Sequence, residues 1–196
     1  MLLKQQEQAN DKLTSKVAEI RKICSHLQAR MQHMQNFARQ RAEEKQDCTV
    51  RQLLENVLLI IGHSLHKHQI RIQQDIDPAL PPIWGSTTQL EQVLTNLINN
   101  ARDAMSDTQT KQLTIRSFLQ HDYLILQIQD TGVGMSAETQ ARIFDSFYTT
   151  KDKGAGTGLG MGIVKRIVEE HAGVIGVESK VGVGSTFTLS FPLSAK

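Results

Sequence analysis

The chain has 196 residues, 39% of them hydrophobic, and a formal net charge of +2 with neutral histidines. This length suits one domain with an appendage, and the balanced charge argues against nucleic acid or a membrane surface as a partner. No apolar run reaches the roughly 20 residues of a membrane span, and the N-terminus lacks the apolar block of a signal peptide. The two cysteines match no metal-ligand spacing, so we expect a cytoplasmic environment; anchoring of a longer protein in the inner membrane stays open.

Residues 1–46 are predicted to form one long helix. They contain no glycine or proline, and apolar residues recur at the a and d positions of a heptad repeat. Asn10 falls at an a position, where a buried asparagine favours two strands in register. We therefore predict a coiled coil that makes a homodimer. The alternative is a single amphipathic helix docked on its own domain.

The remainder, residues 47–196, mixes helical and strand patterns. Apolar periodicity predicts helices at 50–66, 87–105 and 158–171, and Asp47 or Thr49 can cap the first of them. Alternation or short apolar runs predict strands, at 69–76, 111–119, 122–129, 174–179 and 184–191. Because helices are mixed with adjacent hairpins, the predicted class is α+β, with one mixed sheet and helices on one face.

The second predicted helix carries polar residues on one face. Asn96, Asn100 and Asp103 are spaced i, i+4 and i+7. Two carboxamides on an otherwise apolar helix are costly to bury without partners, although a polar stripe at the rim is an equally good interpretation. Mg²⁺ takes oxygen ligands and keeps water and phosphate as co-ligands, which a carboxamide oxygen suits.

Two glycine clusters suggest a nucleotide. The first is Asp130–Met135, in which a carboxylate at a strand end can accept a hydrogen bond from an adenine amino group; a plain turn is the alternative. The second, residues 154–162, opens a helix, and such a start presents unpaired N–H groups to an anion. A flexible linker is the alternative there. Between them, Phe144–Lys151 pairs aromatic residues with a lysine that can reach a terminal phosphate or simply be solvated.

Taken together and in this order, the motifs resemble those of the ATP-binding catalytic domain of sensor histidine kinases, in the superfamily shared with gyrase, MutL and the large heat-shock chaperone ATPases. The asparagine-rich helix resembles the N box. The other resemblances are Asp130-x-Gly-x-Gly to the G1 box, Phe144–Lys151 to the F box, Gly156–Ile163 to the G2 box and Gly182–Phe187 to the last glycine box. The resemblance covers residues 47–193, is most similar to the nitrogen-regulatory and C4-dicarboxylate-sensor branch, and implies a two-layer α/β sandwich.

The resemblance also implies a site for ATP and Mg²⁺. Asn100 would ligate the metal, and Asp130 would read the adenine amino group with Thr186 nearby. Lys151 and a lid at about 136–157 would close over the γ-phosphate, and Asn96 and Lys151 would serve phosphoryl transfer. The implied nucleotide contacts are Asn96, Asn100, Asp103, Asp130, Gly132, Gly134, Met135, Phe147, Thr149, Lys151, Gly156, Thr157, Gly158, Leu159, Gly160 and Thr186.

Position 96 bears on the reaction. Gyrase and chaperone relatives carry a glutamate there as general base, and Asn96 cannot take that role, which favours phosphoryl transfer over hydrolysis. Neither His26 nor His33 has the acidic and proline context of a phosphoacceptor, so the acceptor histidine is expected outside this chain. Expected partners are that phosphoacceptor-helix region and a response-regulator receiver domain. The alternatives are a serine kinase of the anti-sigma type and a non-catalytic dimerisation module.

Overall fold

A computed structural model describes residue 16, residues 44–151 and residues 156–193. The predicted dimerisation helix at 1–46 therefore lies almost wholly outside the described residues. Residues 44–148 and 158–193 fall in one unit, and residues 149–151 and 156–157 belong to a second.

The larger unit alternates short and long elements. In chain order they are β1 (Gln46–Cys48), α1 (Val50–Lys67), β2 (Arg71–Ile76), β3 (Ile83–Gly85), α2 (Thr87–Ala104), β4 (Gln112–Gln120), β5 (Tyr123–Asp130), α3 (Ala137–Arg142), α4 (Gly160–Glu170), β6 (Val174–Lys180) and β7 (Gly184–Pro192).

Five of the strands make one mixed sheet in the order β2-β4-β5-β7-β6. β2 runs parallel to β4, and the other neighbouring pairs are antiparallel. Side chains alternate across the sheet, so that Leu124, Leu126 and Ile128 of β5 are buried while Gln129 is exposed. The predicted α+β fold is confirmed.

Helices α1, α2 and α4 supply the apolar layer that covers the sheet. Their buried positions recur at helical spacing, as Leu90, Val93, Leu94 and Leu97 do in α2. The hydroxyl of Thr49 caps α1 by accepting from the Gln52 N–H, as predicted. These helices thus hold the N box and the start of α4 over one face of the sheet.

Three short elements were not predicted from the sequence. β1 and β3 pair antiparallel, with Asp47 opposite Trp84, where we expected only a break and a proline-rich connection. The six-residue α3 lies inside the predicted lid. No helix in the described part of the chain is both long and apolar enough to cross a membrane.

Candidate functional site

The N box and the start of α4 come together. The Oδ1 oxygen of Asn96 lies 3.6 Å from the point that a Cβ of Gly160 would occupy. One turn further along α2, the Asn100 amide nitrogen donates a hydrogen bond to the Met161 sulfur at 3.0 Å. Two motifs that lie about sixty residues apart in the sequence therefore share one place in the fold.

The Asn96 amide is poorly satisfied at this place. Its Nδ2 is buried and has no hydrogen-bond partner among the described residues. Leaving such a donor unpaired costs about 1–3 kcal/mol. An acceptor oxygen from a bound ligand would remove that cost, which makes Asn96 a candidate ligand contact.

The start of α4 differs from that of the other described helices. Side-chain hydroxyls of Thr49, Ser86 and Ser136 cap α1, α2 and α3. At α4 the N-cap position is Leu159, which has no side-chain cap hydrogen bond, and the first turn holds no acidic residue. Among the described residues, no side-chain cap thus occupies the positive end of the α4 dipole, and a helix start of this kind can bind an anion.

Asp130 ends β5 on the buried face of the sheet. Its side chain is 4% exposed, and its Oδ1 accepts a hydrogen bond from the Gly132 N–H at 2.8 Å. Burial raises the pKa of this carboxyl above its usual value, and hydrogen bonds from the backbone of Gly132 and Ser185 partly offset the rise. A buried carboxylate aimed past a tight turn can recognise a donor group on a ligand.

The register of β5 and β7 adds a residue to the predicted site. We expected Thr186 near Asp130, and its contact with nucleotide stays a prediction; Ser185 lies directly opposite Asp130, and Thr186 lies opposite Gln129. Because successive side chains of a strand point to opposite faces, the Thr186 side chain points away from the Asp130 face. Ser185, which is 6% exposed, is the hydroxyl residue that the sequence analysis missed. The alternation of Phe187, Leu189 and Phe191 was the signal that could have identified it.

The loop after Asp130 packs against neighbouring elements on both sides. A Cβ at Gly132 would lie 2.7 Å from the Ala104 Cβ and 2.8 Å from the Ala104 carbonyl oxygen, so only glycine fits there. Gly134 lies against the Lys180 backbone, and the Met135 N–H donates to the Ser179 hydroxyl at 2.8 Å. This loop is therefore packed between the end of α2 and the β6–β7 turn.

Asp103 makes a different contact from the other predicted α2 residues. Its carboxylate lies 2.7 Å from Nη2 of the adjacent Arg102. Arg102 also donates to the Ser64 hydroxyl of α1 at 3.3 Å. These contacts support a role for Asp103 in joining α1 to the end of α2, and its predicted contact with nucleotide stays a prediction.

The F box and the G2 box meet at Phe147. The Phe147 N–H donates to the Gly158 carbonyl at 2.8 Å, and Gly158, at φ +66°, lies against the Phe147 backbone. Phe147 itself has φ +69° and is 67% exposed. A left-handed phenylalanine is a strained conformation of the kind found in ligand-binding segments.

The remaining predicted residues lie in the second unit. The Lys151 N–H donates to the Thr149 hydroxyl at 3.2 Å, and a Cβ at Gly156 would lie 3.3 Å from the Lys151 Cβ. Thr157 is exposed. Residues 152–155, which complete the predicted lid, lie outside the described part of the chain.

Comparison with known proteins decides the family. The model for the "Histidine kinase-, DNA gyrase B-, and HSP90-like ATPase" family matches residues 85–195. The chain belongs to this family. Its domain is an ATP-binding catalytic domain of the type found in sensor histidine kinases.

Named relatives agree with this assignment. Signal transduction histidine-protein kinase AtoS of Escherichia coli (strain K12) is 33% identical over 165 residues, which cover 84% of this chain and 26% of AtoS. Sensory histidine kinase/phosphatase NtrB of Azospirillum brasilense is 31% identical over 189 residues, which cover 88% of this chain and 46% of NtrB. The chain spans between 19% and 46% of the length of such curated relatives. The narrower branch assignment stays a prediction.

Solved structures share the fold. Full-length ShkA in complex with AMPPNP superposes with a TM-score of 0.67 at 25% identity, over 79% of this chain and 33% of ShkA. Histidine kinase ThkA in complex with response regulator protein TrrA gives a TM-score of 0.70 at 22% identity, over 87% of this chain and 48% of that chain. The second likeness shows the fold alone.

Proposed function

We propose that this chain is the catalytic, ATP-binding part of a two-component sensor histidine kinase. It would position Mg-ATP for γ-phosphoryl transfer to a histidine outside this chain. The observation that carries the proposal is the meeting of Asn96, with its unpaired buried amide, and the uncapped start of α4 at Gly160. That place offers hydrogen-bond donors and a positive dipole end to a polyphosphate.

The proposed site divides the nucleotide between two ends. Asp130 and Ser185 would bind the base, and Gly132 and Gly134 would let the loop after Asp130 pack against Ala104 and Lys180 beside it. The start of α4 and Asn96 would bind the phosphates, and Phe147 would contact the nucleotide from within the lid.

The residues at the phosphate end fit a magnesium ion. The side-chain nitrogen of Asn100 donates to the Met161 sulfur. The side-chain carbonyl oxygen of Asn100 is therefore the atom that would ligate the metal. Among the described residues no three His, Cys, Asp or Glu side chains cluster, so phosphate and water oxygens would supply most of the ligands. The ion would neutralise charge on the phosphates.

Asn96 favours transfer over hydrolysis. A carboxamide cannot take a proton from water at neutral pH, so this residue can bind and orient but cannot activate water. In the proposed step a neutral imidazole nitrogen of the acceptor attacks the γ-phosphorus, a P–N bond forms and the bond to the β–γ bridging oxygen breaks. ADP leaves with that electron pair, and Lys151 would stabilise the developing charge.

Partners follow from the same assignment. We propose a homodimer through residues 1–46, contact with the phosphoacceptor-helix region of the kinase, and a response-regulator receiver domain as the next phosphoryl acceptor. The relatives named as sensor and signal transduction histidine kinases support the last two partners. The site would operate in the cytoplasm.

Calorimetric titration with ATP, with and without Mg²⁺, tests the proposal. The wild-type chain should bind ATP more tightly with magnesium. Asn100→Ala should lose the magnesium enhancement, and Asn96→Ala should weaken binding in both conditions. Asn99→Ala is the matched control, since it changes the same residue type on the same helix at a position about 100° from Asn100 and about 60° from Asn96. A wild-type chain that does not bind ATP would refute the proposal.

The acceptor is tested separately with γ-labelled ATP. We expect no acid-labile phosphate on His26 or His33 of this chain. Acid-labile, alkali-stable label on either residue would contradict the placement of the acceptor outside the chain. Acid-stable phosphoserine on an added partner would instead support the serine-kinase alternative.

A further inference from the structure

His171, at the C-terminal end of α4, joins two helices. It is 6% exposed, and both ring nitrogens have partners. Nδ1 lies 2.7 Å from the Ile167 carbonyl oxygen within α4. Nε2 accepts a hydrogen bond at 3.1 Å from the backbone N–H of Ser86, the N-cap residue of α2.

These partners fix the protonation state of the ring. A backbone N–H can only donate, so Nε2 must carry a lone pair, and a carbonyl can only accept, so Nδ1 must carry the proton. Only the neutral Nδ1–H tautomer makes both bonds. A second proton could be added only at Nε2, where it would face the Ser86 N–H.

His171 lies at the end of α4 that is opposite to the proposed phosphate site. Gly160, at the start of α4, lies against Asn96 in the middle of α2, whereas His171 lies at the start of α2. The two helices are therefore antiparallel, and two hydrogen bonds hold α4 to α2, Asn100 to Met161 near the α4 start and Ser86 to His171 at its end. A shift of α4 along α2 would change both contacts together.

We infer that neutral His171 is a positioning residue for the nucleotide site, which fixes how far α4 extends along α2, and that its protonation loosens the fit of the α4 start against Asn96. This inference rests on the proposed ATP site. Its basis is the bridging geometry, in which a single ring links the N-cap of the N-box helix to the helix that begins with the G2 glycines.

The surroundings of the ring leave it little freedom. A Cβ at Gly85 would overlap the imidazole, so the ring fills the space beside the β3 backbone. The charged groups that act on it are Lys45, whose Nζ donates to the Glu170 carbonyl at 3.2 Å, and the Glu170 carboxylate, which accepts from Gln89. The ring is therefore enclosed by the β3 backbone on one side, with Lys45 and Glu170 as the nearby charged groups.

Burial lowers the pKa of His171, and the nearby Lys45 lowers it further, against opposing effects of the Ile167 carbonyl and Glu170. Because the folded pKa lies below the unfolded value of about 6.5, the unfolded chain binds more protons in the interval between them. The contribution of His171 is thus complete above about pH 6.5 and is lost as the pH falls through the lowered pKa.

The test compares ATP affinity at about pH 8 with the affinity at a pH below the lowered His171 pKa, where NMR shows the ring of the wild type to be protonated, in wild type, His171→Gln and His171→Phe. Glutamine offers an acceptor oxygen that does not titrate, and phenylalanine offers none. His63→Gln, on the exposed face of α1, is the control. ATP protonation itself changes equally for every variant, so only differences between variants count.

On acidification we expect the ATP affinity of wild type to fall about two- to tenfold more than that of His171→Gln. This factor corresponds to the free energy of one hydrogen bond. His171→Phe should bind about two- to tenfold more weakly than His171→Gln already at the higher pH. Equal pH dependence of wild type and His171→Gln would overturn the inference, even if His171→Phe fails to fold.

A second measurement separates this inference from the proposed function. In the nucleotide-free chain, the amide signals of Asn96 and Gly160 in NMR spectra should shift with the titration of the His171 ring, and His171→Gln should abolish that shift. If wild type does not bind ATP but these signals still shift with the His171 titration, the proposed function is refuted and the inferred coupling between His171 and the α4 start is retained. If the signals do not shift with the His171 titration, the coupling is refuted.

Discussion

Replacing Asp130 by asparagine should change ligand affinity and stability in different ways. The carboxylate is 4% exposed and accepts backbone hydrogen bonds from Gly132 and Ser185. A hydrogen bond to a charged group contributes about 1.5–3 kcal/mol, so loss of the carboxylate should weaken ATP binding by about tenfold to 150-fold. Calorimetry on wild type and Asp130→Asn measures this directly. Asp122→Asn, at the exposed turn position just before β5, is the control.

The stability of Asp130→Asn should follow the raised pKa of the carboxyl. Since the folded pKa lies above the unfolded value of about 4, wild type loses stability as the pH rises through the folded pKa. Asparagine does not titrate, so the variant should gain free energy of unfolding relative to wild type between about pH 4 and pH 7. Urea denaturation across that range measures the difference. A relative loss, or unchanged ATP affinity, would refute the assignment of Asp130 as a buried, ligand-directed charge.

Three further predictions test the packing around the site. Gly62→Ala, in open space on α1, should raise the free energy of unfolding by about 0.5–1 kcal/mol. Gly132→Ala should lower the free energy of unfolding by about 1–3 kcal/mol, because the added methyl group would overlap Ala104. Equal effects of the two substitutions in urea denaturation would contradict this prediction. Ser185→Ala should weaken ATP binding more than Thr186→Ala in calorimetry, and the reverse order would restore the original expectation. Leu97→Ala should cost about 2–5 kcal/mol in urea denaturation, and less than 1 would deny it a core position.

The long elements were predictable because a helix or strand that is buried on one side has apolar residues at regular intervals in the sequence. α2 was expected at 87–105 and spans Thr87–Ala104. The pair β1 and β3 was not predictable in this way. Each strand has three residues, too few to show alternation, and their pairing, with Asp47 opposite Trp84, joins segments that only the folded chain brings together.

The site motifs were found from the sequence, but their exact neighbours were not. Glycine spacing pointed to Asp130 and to the start of α4. The choice between Ser185 and Thr186 depended on which face of β7 turns toward Asp130, and a one-residue error in register reverses that face. The bond between His171 and Ser86 spans 85 residues and leaves no local pattern.

Several locally unfavourable features of the described fold lie at the proposed site. A charged carboxylate at Asp130 is buried, an amide at Asn96 is unpaired, Phe147 has a left-handed backbone, and α4 starts without a side-chain cap. Each departure costs stability, and none of them improves the packing of the core. A bound nucleotide with its phosphates would supply the missing partners of the amide and the helix start. A ligand at the proposed site would offset this cost, and ATP should raise the stability of this chain with the logarithm of the ratio of its concentration to its Kd.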